Sequence, residues 1–352
     1  MIKLETWGQM PTGEPVTLAT LADGHGLEVR VSSYGASLVS IRMPDRAGLV
    51  EDVLLGFDRL ADYLDPALQG SWPYFGSTIG RTANRIAGAR FTIDGQEHHL
   101  TANEGDNQLH GGRIGFDRVA WQAEILGDAP GVRMRHVSPD GDQGFPGCVE
   151  AQADFLLGAP GELVIRYTAT TDRPTHVSMA SHPYFNLAGR RSRSIAQHRL
   201  TVAARAILPI DATAIPVPGS PMPVADTPFD LTDGRMIGEL LQVDHPQLQM
   251  GGGLNHCFLL DPAASPAARL EHPESGRCLE LVTTEPGLQI YSANAFNGSL
   301  HDSEGRPFVR RQAIAIEAQH FPDSPNRPDF PSTLLRPGEI YRSETRMRFS
   351  SC

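Results

Sequence analysis

The chain has 352 residues, of which 40% are hydrophobic, and this length can bury an extended core without disulfide or metal cross-links. The formal net charge is -11, so a nucleic-acid backbone or an anionic membrane surface would be repelled. We therefore expect no nucleic-acid partner and no membrane partner.

Strand patterns begin near the N-terminus and recur along the chain. Residues 27–43 alternate and are rich in Val, Ile and Ser, with a central glycine that suits a bulge or bend. Residues 90–100 predict a hairpin around Asp94-Gly95, because this dipeptide supplies the positive φ angles of a type I′ turn. Five further strands are predicted at 162–170, 199–206, 277–284, 287–292 and 312–317.

Helical patterns are few. Only 57–68 and 230–243 offer short candidates, and Pro66 limits the first of them. The proline-rich stretch 207–228 is expected to be a surface excursion, since strand patterns resume on both sides. The excess of strands predicts an all-β protein, and we expect one large antiparallel β-sandwich that forms a single domain over residues 1–352.

The cysteines favour a reducing compartment. Cys148, Cys257, Cys278 and Cys352 lie far apart, without the CxxC spacing of a metal or redox site. The N-terminal residues show no apolar targeting segment, and no stretch approaches the ~20 apolar residues that span a bilayer. These features predict a cytoplasmic protein.

Four segments depart from ordinary core and turn sequence. They are GSTIGRTANRI at 76–86, NQLHGGRIGF at 107–116, SHPYFNL at 181–187 and IAIEAQHFPDSP at 314–325. Each carries charged or titratable residues beside glycines or aromatic residues, so these segments hold the candidates for chemistry.

Glu317 is the most informative of the candidates. Side chains alternate along a strand, so the isoleucines of 313–319 share one face while Glu317 lies on the other, among small or polar residues. That face leaves room for a ligand. Burying a carboxylate on an apolar strand costs free energy unless the carboxylate is paired with another group or serves a function. A salt-bridged glutamate on a solvated face remains the alternative.

Two histidines and two arginines are weaker candidates. A lone histidine such as His110 or His182 is more often structural than catalytic, but its ordinary pKa of about 6.5 suits proton transfer near neutrality. Arg81 and Arg85 could both be surface arginines. If one of them faces inward, its guanidinium offers several N–H donors to the oxygens of a ligand.

Local motifs for metals, nucleotides and nucleophiles are missing. The sequence contains neither HxH nor HExxH, and the adjacent His98 and His99 point to opposite faces of a strand. It also lacks GxGxxG after a strand, GxxxxGK[ST] and GxSxG. We therefore expect no metal and no cofactor.

Six strings in order resemble the aldose 1-epimerase (galactose mutarotase) family. They are GRTANRI at 80–86, NQLHGG at 107–112, DGDQGFPG at 140–147, SHPYFNL at 181–187, GLQIY at 287–291 and IEAQHFPDSPN at 316–326. The resemblance runs from about residue 10 to about residue 350. It implies a galactose mutarotase-like supersandwich with an open sugar cleft, and interconversion of the α and β anomers of free aldoses such as galactose and glucose.

The resemblance also implies roles for individual residues. His182 matches the family's general acid, and Glu317 matches its general base. His110 and Arg85 match residues that line the sugar ring, with Asn84 beside them.

Two further positions concern the sugar hydroxyls. Gln289 matches a hydroxyl ligand. Asn255 stands where the family is expected to carry a sugar-binding aspartate. An amide keeps an acceptor oxygen, loses the charge and adds two donors, so this departure bears on substrate preference and catalytic strength.

Three other functions stay open. A sugar-binding or regulatory protein with little turnover would use the same fold, and Asn255 is the feature that keeps this alternative open. A glycoside hydrolase would need two carboxylates about 5–10 Å apart, whereas the matching strings offer one. A hexose-6-phosphate 1-epimerase would need a basic cluster for the phosphate, and the strings offer only Arg81 and Arg85. We expect a monosaccharide as the ligand and a monomer or homodimer as the assembly.

Overall fold

The computed structural model describes residues 1–70, 72–219 and 221–351, and strands dominate it. Two large antiparallel sheets face each other across a common apolar core, and a third sheet is formed by the N-terminal strands. The predicted all-β class and the antiparallel sandwich are therefore confirmed.

The largest sheet has nine strands and forms one layer of the sandwich. Along its strand Glu162–Thr171, Leu163, Ile165 and Tyr167 enter the core, while Arg166 faces outward, as the two-residue repeat of a half-buried strand requires. In spatial order the strands are Gln122–Ile125, Gly131–Ser138, Val149–Leu157, Glu162–Thr171, Tyr341–Ser351, Arg277–Thr283, Ala268–His272, Arg199–Val202 and Arg235–Met236.

The opposing layer is a sheet of seven strands. Leu288, Ile290, Ile314 and Ile316 on its central strands pack into the same core as the nine-stranded sheet. The other face of these central strands therefore points away from that core. In spatial order the strands are Met222–Pro223, Ala204–Ile207, Asn255–Leu260, Gly287–Tyr291, Ile314–Gln319, Tyr184–Phe185 and Leu54–Leu55.

The five-stranded sheet joins sequential N-terminal strands by hairpins. The predicted strand over 27–43 is two strands, because the chain reverses at Gly35 and Ala36, where φ is 65° and 41°. The glycine thus produces a turn and not a bulge within one strand. The strands are Ile2–Gln9, Pro15–Ala22, Glu28–Ser32, Ser37–Pro44 and Val50–Asp52.

Five two-stranded ribbons complete the strands of the described residues. The predicted hairpin around Asp94 and Gly95 is confirmed, with φ of 51° and 83° at these two residues. The ribbons pair Arg90–Ile93 with Gln96–His99, Arg85–Ile86 with Gln108–Leu109, Thr78–Ile79 with Ala180–Ser181, Thr175–His176 with Leu334–Leu335, and Asn297–His301 with Pro307–Val309.

The predicted strand over 199–206 also divides in two. Arg199–Val202 belongs to the nine-stranded sheet and Ala204–Ile207 to the seven-stranded sheet, so the chain crosses between the layers at Ala203. The excursion that follows returns as Met222–Pro223, which pairs with Ala204–Ile207.

Helices are short. The candidate at 57–68 contains only Leu60–Tyr63 and a 3₁₀ turn at Pro66–Gly70, and the candidate at 230–243 contains only Ile237–Leu240. Pro246–Met250 is a helix that sequence analysis did not predict. The remaining 3₁₀ turns are Ala87–Ala89, Phe116–Arg118, Asp142–Gly144 and Ser324–Asn326. Within the described residues, no helix has the length and apolar character to cross a membrane.

Candidate active site

The outer face of the seven-stranded sheet forms the floor of a pocket. Glu317 lies directly across from Gln289, and Gln289 directly across from Cys257 on the third strand. Asn255, two residues from Cys257 on the same face, accepts a hydrogen bond at its Oδ1 from Gln289 Nε2 at 3.0 Å. Alternation along adjacent strands therefore brings three predicted site residues onto one surface.

One wall of the pocket comes from the Arg85–Ile86 and Gln108–Leu109 ribbon. Asn84 and His110 flank this ribbon and bind each other twice: Asn84 O accepts from His110 N at 2.9 Å, and His110 Nδ1 accepts from Asn84 N at 3.2 Å. Because Nδ1 is an acceptor, the neutral His110 ring carries its proton on Nε2. His110 therefore presents a donor to the pocket.

The two glycines after His110 allow this turn. Gly111 and Gly112 have φ of 85° and 104°, and a Cβ on Gly111 would lie 1.9 Å from the carbonyl oxygen of Gly80. The backbone contact leaves no room for a side chain, which explains the HGG sequence physically.

His182 and Glu317 meet at the centre of the pocket. Their Nε2 and Oε1 atoms are 3.4 Å apart, and the two residues are only 4% and 1% exposed. Within the described part of the chain, the other atoms of the pair, His182 Nδ1 and Glu317 Oε2, have no hydrogen-bond partner. The alternative of a salt-bridged glutamate on a solvated face is wrong, because the pocket buries this strand face.

Burial controls the protonation of this pair. Desolvation raises the pKa of Glu317 to about 8, against a smaller opposing effect of the Arg85 charge, and it lowers the pKa of His182 to about 4. Desolvation also holds the pKa of His110 well below its usual value, with smaller contributions from His182 and Arg85. Between pH of about 4 and about 8, the Glu317–His182 pair therefore holds one titratable proton, in addition to the N–H of the neutral imidazole.

Arg85 and Arg81 have different surroundings. Arg85 lines the pocket, and Glu104 holds its guanidinium by two hydrogen bonds, of 2.5 Å from Nε and 2.7 Å from Nη2. Arg81 is buried away from the pocket, where its guanidinium donates to Ser138 Oγ and to the carbonyl oxygen of Pro146. Arg81 is therefore neither a surface arginine nor a pocket residue.

All seven predicted site residues line one pocket of about 490 Å³. They are Asn84, Arg85, His110, His182, Asn255, Gln289 and Glu317. The structure thus brings together residues from six separate segments, and the role of each stays a prediction.

Several residues of the pocket were not among those predicted from the sequence. Tyr74 is the clearest case, because its ring centroid lies 4.6 Å from that of His110 and 5.8 Å from that of His182. Extending the 76–86 segment by two residues would have included it. Alternation on the GLQIY strand would have placed Tyr291 beside Gln289. The missed residues with polar or aromatic side chains include Trp72, Tyr74, Glu104, Tyr184, Tyr291, Asn294, Phe296 and Phe308.

The pocket also gathers three side chains of the kinds that bind metals. The ligand atoms of His110, His182 and Glu317 all lie within 4.8 Å of one another. These residues come from three distant segments, so no local motif contains them. The fold therefore gathers possible metal ligands although the sequence has no local metal motif, and the absence of a resident metal stays a prediction.

Comparisons with known proteins cover nearly the whole chain. The family model described as aldose 1-epimerase matches residues 17–348. The galactose mutarotase of Rattus norvegicus is 40% identical over 346 residues, which cover 98% of this chain and 97% of that protein. The aldose 1-epimerase of Escherichia coli K12 is 38% identical over 351 residues, covering 98% of each chain.

Solved structures agree with the sequence comparisons. Galactose 1-epimerase from Lactobacillus acidophilus superposes with a TM-score of 0.86 at 27% identity, covering 100% of this chain and 99% of that one. An aldose epimerase homologue from C. elegans superposes with a TM-score of 0.85 at 28% identity, covering 95% and 98%. Architecture and sequence therefore agree from one end of the chain to the other.

Proposed function

Because the chain belongs to the aldose 1-epimerase family, we propose that Glu317 and His182 open and close the ring of a free aldose. The protein is an isomerase that interconverts the α and β anomers of aldoses. The observation that carries the assignment of residues is the buried Glu317–His182 pair, 3.4 Å apart on the floor of the pocket.

The pair holds the one proton that the reaction needs. Moving it from Glu317 to His182 produces a carboxylate and an imidazolium, which are the base and the acid of ring opening. Glu317 then takes the proton of the anomeric hydroxyl while His182 donates its proton to the ring oxygen. The bond from C1 to the ring oxygen breaks, and an aldehyde forms at C1.

Ring closure reverses these transfers. After rotation about the C1–C2 bond, His182 takes back the proton of the C5 hydroxyl, whose oxygen attacks the other face of C1. Glu317 returns its proton to the new anomeric oxygen. Both groups regain their starting states, so no redox equivalent is consumed.

We assign the remaining predicted residues to positioning the sugar. His110 Nε2–H and the Arg85 guanidinium donate to oxygens on which negative charge develops, and burial strengthens these interactions. Asn84, Asn255 and Gln289 supply amide groups for sugar hydroxyls. A monosaccharide is the proposed partner, and the unpaired state of the described cysteines supports a cytoplasmic location.

The pocket disfavours two of the alternative functions. A glycoside hydrolase would need a second free carboxylate, but Glu104, the other carboxylate among the described residues of the pocket, is held by Arg85 in a two-point contact. A hexose 6-phosphate would need free cations, and Arg85 is the only Lys or Arg among the described residues that line the pocket. Measuring the rate of mutarotation distinguishes the third alternative, a binding protein with little turnover, from an epimerase.

Polarimetry of freshly dissolved α-galactose and α-glucose tests the proposal. We expect the wild type to accelerate mutarotation and Glu317→Gln to retain less than about a tenth of the wild-type kcat, a loss above ~1.4 kcal/mol. The variant should still fold, because a neutral amide replaces a carboxyl group that burial already holds neutral. His182→Asn should lower kcat more than it raises KM, since protonation of the ring oxygen matters mainly in the transition state.

Three results would contradict parts of this proposal. Absence of mutarotation by the wild type on every aldose would favour the binding protein. A Glu317→Gln variant with more than a tenth of the wild-type kcat would remove Glu317 as the base. An unchanged kcat with a raised KM in His182→Asn would make His182 a binding residue.

A further inference from the structure

The side chains at the centre of the pocket have the composition of a transition-metal site. His110, His182 and Glu317 supply two imidazoles and a carboxylate, the donor set found with three protein ligands in catalytic zinc sites. All three residues are buried. His110 belongs to the ribbon wall of the pocket, and His182 and Glu317 belong to its floor.

The spacing fits a tetrahedral ion closely for two of these ligands. Bonds of about 2.0–2.1 Å in a tetrahedral site place neighbouring ligand atoms about 3.3–3.4 Å apart. His182 Nε2 and Glu317 Oε1 are separated by 3.4 Å. The ligand atom of His110 lies within 4.8 Å of both, so a shift of about 1.5 Å or less would bring it to the same spacing.

All three residues line the pocket, so an ion that they hold can take its fourth ligand from the pocket. Water can fill that position, as it does in zinc sites with three protein ligands. A sugar in contact with Glu317, His182 and His110 needs the same donor and acceptor atoms. Metal and sugar therefore exclude each other.

We infer that His110, His182 and Glu317 form an inhibitory site for a divalent transition-metal ion such as Zn²⁺, which competes with the sugar. This inference goes beyond the proposed function, since the ion blocks the reaction and takes no part in it. The ion is held by the two groups that would otherwise transfer protons, Glu317 and His182, together with His110.

The surroundings of the histidines make the site reversible. In dedicated zinc sites the second ring nitrogen of a histidine donates to a carboxylate or a carbonyl group. Here His110 Nδ1 faces the N–H of Asn84 at 3.2 Å, and no described group accepts from His182 Nδ1. Binding a metal through His110 Nε2 moves the ring proton to Nδ1, and His110 then loses its hydrogen bond with Asn84 N–H. We therefore expect a chelator to remove the ion readily.

Calorimetric titration of the intact protein with ZnCl₂ tests the inference without measuring turnover. We expect one ion per chain at this site, and saturating galactose should raise its apparent dissociation constant. His110→Ala, His182→Asn and Glu317→Gln should each weaken binding at least tenfold. His99→Gln is the matched control, because His99 Nε2 lies 3.1 Å from Glu97 Oε1 in an exposed His–Glu pair.

Polarimetry gives the second measurement. Zn²⁺ should raise the apparent KM for galactose without changing kcat, and EDTA should restore the original rate. The inference is overturned if the three pocket variants bind Zn²⁺ as the wild type does, if His99→Gln alone abolishes binding, or if galactose does not compete. A wild type that epimerises galactose but binds no Zn²⁺ would overturn it while leaving the proposed function intact.

Discussion

At the scale of single residues, the pocket holds a carboxyl group and an imidazole whose pKa values burial moves in opposite directions. The pKa of Glu317 is raised to about 8 and that of His182 is lowered to about 4. Both shifts favour the neutral form of the group concerned, and together they define the pH range in which the pair holds a single proton.

The pH dependence of kcat/KM follows from these values. The pair loses its only proton as the pH rises through about 8, and it gains a second as the pH falls through about 4. We expect a plateau between these limits and a tenfold fall per pH unit beyond each, because kcat/KM reports the free enzyme. Polarimetry across this range checks the profile. A midpoint near the ordinary histidine pKa of about 6.5 would contradict it.

Asn255 is the residue on which substrate preference should depend. Its Oδ1 already accepts from Gln289 Nε2, so in Asn255→Asp the second carboxylate oxygen would replace the amide nitrogen. A charged acceptor makes a stronger hydrogen bond than a neutral one, about 1.5–3 against about 0.5–1.5 kcal/mol. We expect kcat/KM for galactose or glucose to rise by up to about tenfold.

Other outcomes for Asn255→Asp carry distinct meanings. Lower activity on every hexose would show a site adapted to its amide and to a substrate that presents an acceptor. Activity in the aspartate variant alone would favour a binding role for the wild type. No effect on any aldose would remove Asn255 from the sugar site. Gln289→Ala removes the hydrogen-bond partner of Asn255, so its kcat/KM provides the comparison for the Asn255→Asp variant.

At the scale of elements, the site depends on how strands and turns are held together. Three adjacent strands set Asn255, Gln289 and Glu317 on one face through their antiparallel register. A shift of one residue in either ladder would turn these side chains into the core, so the register itself is part of the site.

The turn after His110 offers a test at this scale. In Gly111→Ala the new Cβ would lie 1.9 Å from Gly80 O at a φ of 85°, so the ribbon wall must shift. We expect the free energy of unfolding, measured by urea denaturation, to fall by about 2–4 kcal/mol. We also expect kcat/KM to fall, because His110 moves with the turn.

Gly95→Ala is the matched control for this substitution. Gly95 has a similar φ of 83°, but a Cβ there would meet nothing within 4 Å. Its cost should be limited to the left-handed backbone, about 1–2 kcal/mol. Equal losses of stability in the two variants would show that the contact with Gly80 has no effect.

At the scale of the whole molecule, two sheets packed on one core hold the structure together. The main core cluster includes residues from Ala19 to Phe349, and it draws on both layers of the sandwich. The described cysteines Cys148, Cys257 and Cys278 are free. Apolar burial on this scale can stabilise a chain of this length by itself.

Metal removal tests whether the molecule needs an ion for stability or activity. After EDTA treatment and gel filtration, we expect an unchanged mutarotation rate and an unchanged melting temperature, because acid–base ring opening requires only Glu317 and His182. A rate that increases would be consistent with release of an inhibitory ion. A loss restored by Zn²⁺ or Mg²⁺ would contradict the mechanism.

The sequence by itself determined the local and periodic features. Alternation around Glu317 identified its face, and the Asp94-Gly95 pair identified a hairpin. The ordered strings identified the family and six of the seven predicted residues that line the pocket, and a departure from the family pattern identified Asn255. These features follow from neighbouring residues, whose spacing along a strand or turn decides their direction.

Only the tertiary structure decided which segments meet. It divided 199–206 between two sheets, buried Arg81 among carbonyl groups that are distant in the sequence, and paired Glu104 with Arg85 through hydrogen bonds. It also enclosed Glu317 with His182, and their pKa values follow from that burial. Pairing partners, desolvation and charge–charge distances depend on residues far apart in the chain, so no local pattern could specify them.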